Sequence, residues 1–307
     1  MKQGTHLLAA AVLAVMTAPA LAATDLTVYT AFEPEQLSEL KTAFERQHPD
    51  INIKWVRDST GVVTARLLAE KAQPKADVVW GLAATSLMQL DQLQMLSAYA
   101  PKGLEKLDSR FRDSKAEPHW IGLDAFFSAI CFNKVEAEKQ GIPAPTSWAD
   151  LTKPVYKGKV IMPNPSSSGT GYLSVAGWLQ TMGEQQGWQF MNGLHQNIDR
   201  YTHSGSAPCK LAASGETVIG ISFDFPATSL KAKGAPSRWC SQKRDRAGTW
   251  KLPPSSRAPP SWRPPNSCST LPPPNRPTPS ITSRSPWSPS RMWPNRERAI
   301  RQISRVR

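Results

Sequence analysis

The sequence predicts an α/β protein of two lobes, each a mostly parallel sheet flanked by helices. Apolar strand-like runs alternate with helix-periodic segments from Asp25 to Phe223. Three Ser/Thr/Gly turns fall where a strand hands over to a helix. A long extended run, Asp124 to Asn133, marks a crossing from the first set of units to the second. Alternation of this kind buries both faces of a parallel sheet, and ligands then lie at the carboxyl ends of the strands.

The chain opens with a secretory signal, residues 1–22. Lys2 is followed by an apolar run from Leu7 to Met16 and a small-residue cleavage site, Ala20-Leu21-Ala22. The run is shorter than the roughly 20 residues a membrane span requires. In the first lobe, residues 23–120, Asp25 to Thr30 alternates like a strand. Glu35 to Gln47 is helix-like, with Leu37, Leu40 and Phe44 on one face. Ile51 to Val56 is a second strand, Val62 to Lys71 a helix, and Ala76 to Trp80 a third strand before another helix. The second lobe, residues 121–228, holds a short helix capped by Thr146 or Ser147 and a strand at Lys159 to Met162. Helices follow at Leu173 to Met182 and Gly187 to Gln196, then a helix through Cys209 to Ala213 and a strand from Thr217 to Phe223. Residues 229–236 are expected to cross back to the first lobe.

Composition divides the chain in two. The 307 residues carry a formal charge of +13. Ser237 to Arg307 alone holds 15 Lys+Arg and 2 Asp+Glu, a net of +13, and residues 1–236 hold 22 of each sign. That tail also contains 14 of the 28 prolines. The basic pI therefore says nothing about the α/β body. A nucleic-acid or membrane-surface protein acting through the tail is the alternative of another class, and export argues against it.

The organising stretch is Pro163 to Tyr172, a strand end, a Ser/Gly-rich turn and a helix start. The first N–H groups of a helix lack internal partners and carry the positive end of the macrodipole, so hydroxyls and glycine backbone there suit an anion. One such turn is as well explained by ordinary capping. Three of them, Ser59-Thr60-Gly61, Ser167-Ser168-Gly169-Thr170 and Ser204-Gly205-Ser206, shift the balance toward binding. The strand ends Thr30, Ala31 and Gly81 stand at the same level. For a cationic group on the ligand, Glu33, Asp124, Asp224 and the Trp80 ring are the candidates by position.

Several stretches are specific in combination: Leu26 to Ala31, Ala76 to Gly81, Pro145 to Leu151, Tyr156 to Val160, Asn164 to Gly171 and Gly220 to Asp224. Together they resemble the periplasmic solute-binding proteins of ABC importers, in the branch that includes ferric-ion-binding proteins. Trp55 to Gly61, Val79 to Ala83 and Tyr201 to Ser206 resemble the 2-aminoethylphosphonate-binding members. The resemblance covers residues 24–236 and implies a type II binding protein that clamps its ligand between lobes without chemistry. It also implies an inner-membrane permease as partner, a monomer and no cofactor. A carrier of ferric ion or another small anion is the alternative within the family. Its iron relatives use paired tyrosines, whereas tyrosines 29, 99, 156, 172 and 201 are nowhere adjacent and the five histidines show no metal-ligand spacing.

The sequence has no Gly-x-Ser-x-Gly elbow, P-loop or Cys-x-x-Cys, which removes the common enzyme signatures. Cys131 and Cys209 share the second lobe, and an oxidising compartment permits a disulfide between them; spacing alone does not establish it.

Residues 237–307 show no apolar period and read as a disordered basic tail. Changing the reading frame by one base near Pro236 gives a different sequence. With suitable synonymous codons, the stretch after Pro236 becomes Ile-Glu-Val-Val-Leu-Pro and continues through a second strand and an amphipathic helix, as the fold requires. The tail is therefore expected to be out of frame. The chain as written would then lack the end of its first lobe, fold poorly, and bind weakly or not at all.

Overall fold

The computed structural model describes residues 23–240, so the signal segment and the tail beyond Cys240 lie outside the described residues. The first lobe is built on β1 (Thr24–Thr30), β2 (Ile51–Arg57) and β3 (Val78–Trp80), with α1 (Pro34–Gln47), α2 (Thr60–Ala69) and α3 (Ala84–Gln92) between and after them. Its strands lie in the order β2-β1-β3, all parallel. Tyr29, Val63, Leu67, Leu82 and Leu90 form its core. The Tyr29 hydroxyl donates to Glu70 at 2.8 Å, and the Arg66 guanidinium lies 4.8 Å from the Tyr29 ring centre. These contacts fix α2 on β1 and set where its first turn points.

The second lobe has the order β6-β5-β7-β4-β8. Its strands are β4 (Ser128–Asn133), β5 (Val160–Pro163), β6 (Ile198–Thr202), β7 (Ile219–Phe223) and β8 (Ser237–Cys240). β5 runs parallel to β6 and β7, and β4 runs antiparallel to β7 and β8. All six residues of β4 are buried, as expected of a central strand covered on both faces. The helices are α4 (Lys134–Gln140), α5 (Gly169–Met182), α6 (Glu184–His195), α7 (Ala207–Ser214) and α8 (Asp224–Ala232). Trp178 is the hub of the core. Its ring meets Trp148 at 5.4 Å and Phe190 at 5.0 Å, both edge-on, the arrangement that aromatic quadrupoles favour. Among the described residues no helix is long and apolar enough to cross a membrane.

Several elements differ from the sequence expectation. α5 begins at Gly169, four residues before the apolar periodicity does, because Ser168 caps it by accepting from Gly171 N at 3.3 Å. Trp80 ends a strand of only three residues, and the extended run before β4 does not pair until Ser128. The Thr146/Ser147 cap is reciprocal. Ser147 Oγ accepts from Asp150 N at 3.1 Å, and Asp150 Oδ2 accepts from the backbone of Thr146 and Ser147. Asp224, placed at a strand end by sequence, opens α8, whose polar and small residues show little periodicity.

The largest difference is after residue 228. α8 continues to Ala232, and Ser237–Cys240 pairs with Ile130–Asn133 instead of starting an unstructured tail. Residues 229–236 thus run from α8 into β8, with Lys233 Nζ 3.9 Å from Glu35 of the first lobe.

Cys131 of β4 and Cys209 of α7, both buried, are joined as a disulfide with their Cα atoms 5.3 Å apart. The bridge closes a loop across a sequence separation of 78 residues. Replacing both cysteines by alanine should lower stability by about 2–4 kcal/mol, read from urea unfolding against the oxidised protein. An unchanged midpoint would mean that the bridge does not constrain the unfolded chain.

Candidate functional site

Between the lobes lies a cleft of about 440 Å³. The chain builds it by aiming helix starts at one point. α2 arrives from β2 of the first lobe, α5 from β5 and α7 from β6 of the second. Ser59, Thr60, Ser168, Gly169, Thr170, Ser204 and Gly205 all line the space between them. Ser59 has no side-chain capping bond, and the Thr60 and Thr170 hydroxyls have no hydrogen-bond partner among the described residues. Those donors, with the unpartnered N–H groups of the first helical turns, make the polar end of the cleft suited to an anion.

The lobes touch at this same end. Gly61 N donates to Ser167 O at 2.9 Å. A Cβ on Gly61 would lie 2.2 Å from Ser166 O, so only glycine permits the approach. Further out, His203 Nε2 meets Asp58 Oδ1 at 2.7 Å. Burial works against the Asp58 charge, yet the His203 bond, the Ser59 N–H and nearby Arg57 together hold its carboxyl below the usual range. Lys210 Nζ of α7 donates to Glu33 Oε2 at 3.1 Å, a third link between the lobes.

The other end is apolar and acidic. Phe126, Phe223 and Phe225 line it, the Phe126 and Phe223 rings edge-on at 5.7 Å. Asp124 and Asp224 stand among them. Loss of water and the neighbouring Asp224 charge push the Asp124 carboxyl up, although the residue is still reached by solvent within the cleft. Desolvation also pushes Asp224 up, opposed by the N–H groups of Phe127 and Phe225 that its Oδ1 accepts at 3.1 Å.

Twelve of the seventeen residues proposed from sequence line the cleft: the seven of the helix starts with Ala31, Glu33, Gly81, Asp124 and Asp224. Gly81 turns there with φ of +70°. The other five do not. Thr30 is buried, its hydroxyl accepting from Phe32 N at 3.1 Å. Trp80 does not line the cleft, and its buried indole N–H has no partner among the described residues. Gly61 and Ser167 form the seam itself, and the Ser167 hydroxyl donates to His203 O at 3.1 Å. Ser206 is buried with its hydroxyl 3.1 Å from that of Ser204.

Glu33 lines the cleft in a different capacity from the one expected. Its Oε2 lies 3.4 Å from Arg57 Nη2 as well as 3.1 Å from Lys210, so two cations already answer its charge. Arg57, Lys210 and the phenylalanine wall were not singled out by sequence. Arg57 adjoins the Asp58-Ser59-Thr60-Gly61 turn, the one signal that could have found it.

No tyrosine or histidine lines the cleft. Among the described residues the one group with metal-like proximity is Asp91, Asp113 and His119, away from the cleft. Lys115 Nζ occupies it, 2.7 Å from both Asp91 oxygens and 3.0 Å from His119 Nδ1, which makes it an ion-pair cluster.

Two α/β lobes thus meet over a cleft ringed by helix starts. The chain belongs to the bacterial extracellular solute-binding proteins, the family matched by residues 73–241. It is 33% identical over 204 residues to an uncharacterized protein of Haemophilus influenzae, covering 65% of this chain and 59% of that one. It is 29% identical over 191 residues to a probable ABC transporter periplasmic-binding protein, y4fP, of Sinorhizobium fredii, covering 61% and 51%. The chain thus spans between half and three fifths of the length of these curated relatives. Among solved structures it resembles the periplasmic binding protein AfuA of Actinobacillus pleuropneumoniae with fructose-6-phosphate bound. That match has a TM-score of 0.67 and 30% identity, covering 70% of this chain and 68% of that one.

If the seam at Gly61 sets how far the lobes close, Gly61→Ala should hold them apart. The expected outcome is a larger radius of gyration by small-angle scattering with unchanged circular dichroism. An unchanged radius would place the closure contact elsewhere.

Proposed function

We propose that the chain is the substrate-binding component of an ABC importer, exported to the periplasm, which captures a small phosphonate between its lobes and presents it to a membrane permease. The convergence of three helix starts on one cleft carries this reading. A phosphonate is a compact anion with three oxygens, matched by hydroxyls and backbone N–H groups whose partial charges point at it. The ligand we place first is 2-aminoethylphosphonate, with its amine held by a carboxylate. Closure of the lobes around the ligand is the signal the permease reads. The family and the relative named as an ABC transporter periplasmic-binding protein support the transport role.

A second reading within the same chemistry is a sugar phosphate. AfuA holds fructose-6-phosphate, and a cleft of about 440 Å³ has more room than a two-carbon phosphonate fills. The two readings share the anion end and differ in what occupies the phenylalanine end.

The tail belongs to the same proposal. A change of frame near Pro236 accounts for the match to the family ending at residue 241, where the composition has just changed. Among the described residues, those lining the cleft lie between Ala31 and Thr228, ahead of the proposed change of frame.

Titration calorimetry should give saturable heat with 2-aminoethylphosphonate for a frame-restored chain, and a weaker response or none for the chain as written. A stronger response to fructose-6-phosphate would favour the second reading, and no heat with either ligand in either chain would overturn both. Thr170→Val should weaken binding by about ten- to a hundredfold, the worth of a hydrogen bond to a charged group. Sequencing the gene across the codons for Leu230 to Trp250 tests the tail: an extra or missing base is expected, and an intact frame refutes it.

A further inference from the structure

We propose that Asp124 and Asp224 together form the subsite for a cationic group at the end of the ligand away from its phosphonate. The inference rests on the reading of the cleft as a phosphonate site and names which carboxylates take the amine. Three carboxylates line the cleft, and their circumstances differ. Glu33 is answered by Lys210 at 3.1 Å and Arg57 at 3.4 Å, so a further cation there would compete with two resident ones. Asp124 and Asp224 have no ion pair among the described residues. Asp124 makes no hydrogen bond there either, and Asp224 Oδ1 accepts only the two backbone N–H groups of Phe127 and Phe225. Loss of water and the neighbouring Asp224 charge raise the affinity of the Asp124 carboxyl for protons, and loss of water alone raises that of Asp224.

An ammonium group removes the conflict in one step. It cancels the repulsion, donates to carboxylate oxygens that the backbone leaves open, and meets the faces of Phe126, Phe223 and Phe225. A sugar hydroxyl would donate a hydrogen bond there but leave two facing negative charges. The helix starts with Thr60 and Thr170 line the same cleft and take the anion, so the cleft offers groups for both charges of a zwitterion. The ligand class is a short ω-amino phosphonate.

The test compares 2-aminoethylphosphonate with ethylphosphonate, which lacks the amine, by calorimetry on the full chain and on Asp124→Asn and Asp224→Asn. Wild type should prefer the amine, and each variant should reduce that preference at least about tenfold while leaving ethylphosphonate binding unchanged or tighter. Asp199→Asn, outside the cleft lining, should leave the preference intact. Should Asp224→Asn fail to fold because Asp224 opens α8, Asp124→Asn carries the test, since its side chain makes no hydrogen bond. Equal affinity for the two ligands, or a preference that survives both aspartate variants, overturns this inference alone. Where the chain as written takes neither phosphonate, the same comparison is made in the frame-restored chain; failure of both chains to take either phosphonate overturns the reading of the cleft, and this inference with it.

Discussion

The single contact from Gly61 N to Ser167 O sets the geometry of everything that faces the cleft. It joins the first turn of α2 to the turn before α5, one from each lobe. Because it is a backbone bond at a glycine, it brings two peptide chains closer than side chains would allow. Two helix dipoles then point into one volume, and their unpaired N–H groups are shielded from water on the lobe side. Asp58–His203 and Glu33–Lys210 brace the same seam further out. Asp58–His203 is exposed and contributes little energy on its own, whereas the Glu33 carboxylate is buried; the value of both pairs here is orientation.

The charge layout follows from that constraint. With positive helix ends gathered at one wall, carboxylates are tolerated only at a distance or when paired. Glu33 sits close to the seam and is paired twice; Asp124 and Asp224 stand at the phenylalanine wall and are not. The cleft thus carries both helix starts and two carboxylates with no ion pair among the described residues. The ordered core around Trp178 holds the second lobe's part of that layout.

Much of this was legible in the residues. The βα alternation gave both sheets, since strand and helix periods are local properties of sequence, and the Ser/Gly turns announced the helix starts because capping chemistry is local too. What failed was whatever depends on distant partners. Glu33 and Asp224 look alike in sequence, and only the fold reveals that Arg57 and Lys210 reach the first while none reaches the second. Trp80 looked like a ligand-facing ring and instead lies off the cleft. β8 was unreadable because its residues carry no strand pattern, yet the open edge of β4 recruits four of them.

The bridge between Cys131 and Cys209 ties α7, which bears Lys210, to the central strand of the second lobe. The Lys210–Glu33 contact across the lobes is therefore coupled, through α7, to a covalent bond in the core that forms only where thiols are oxidised.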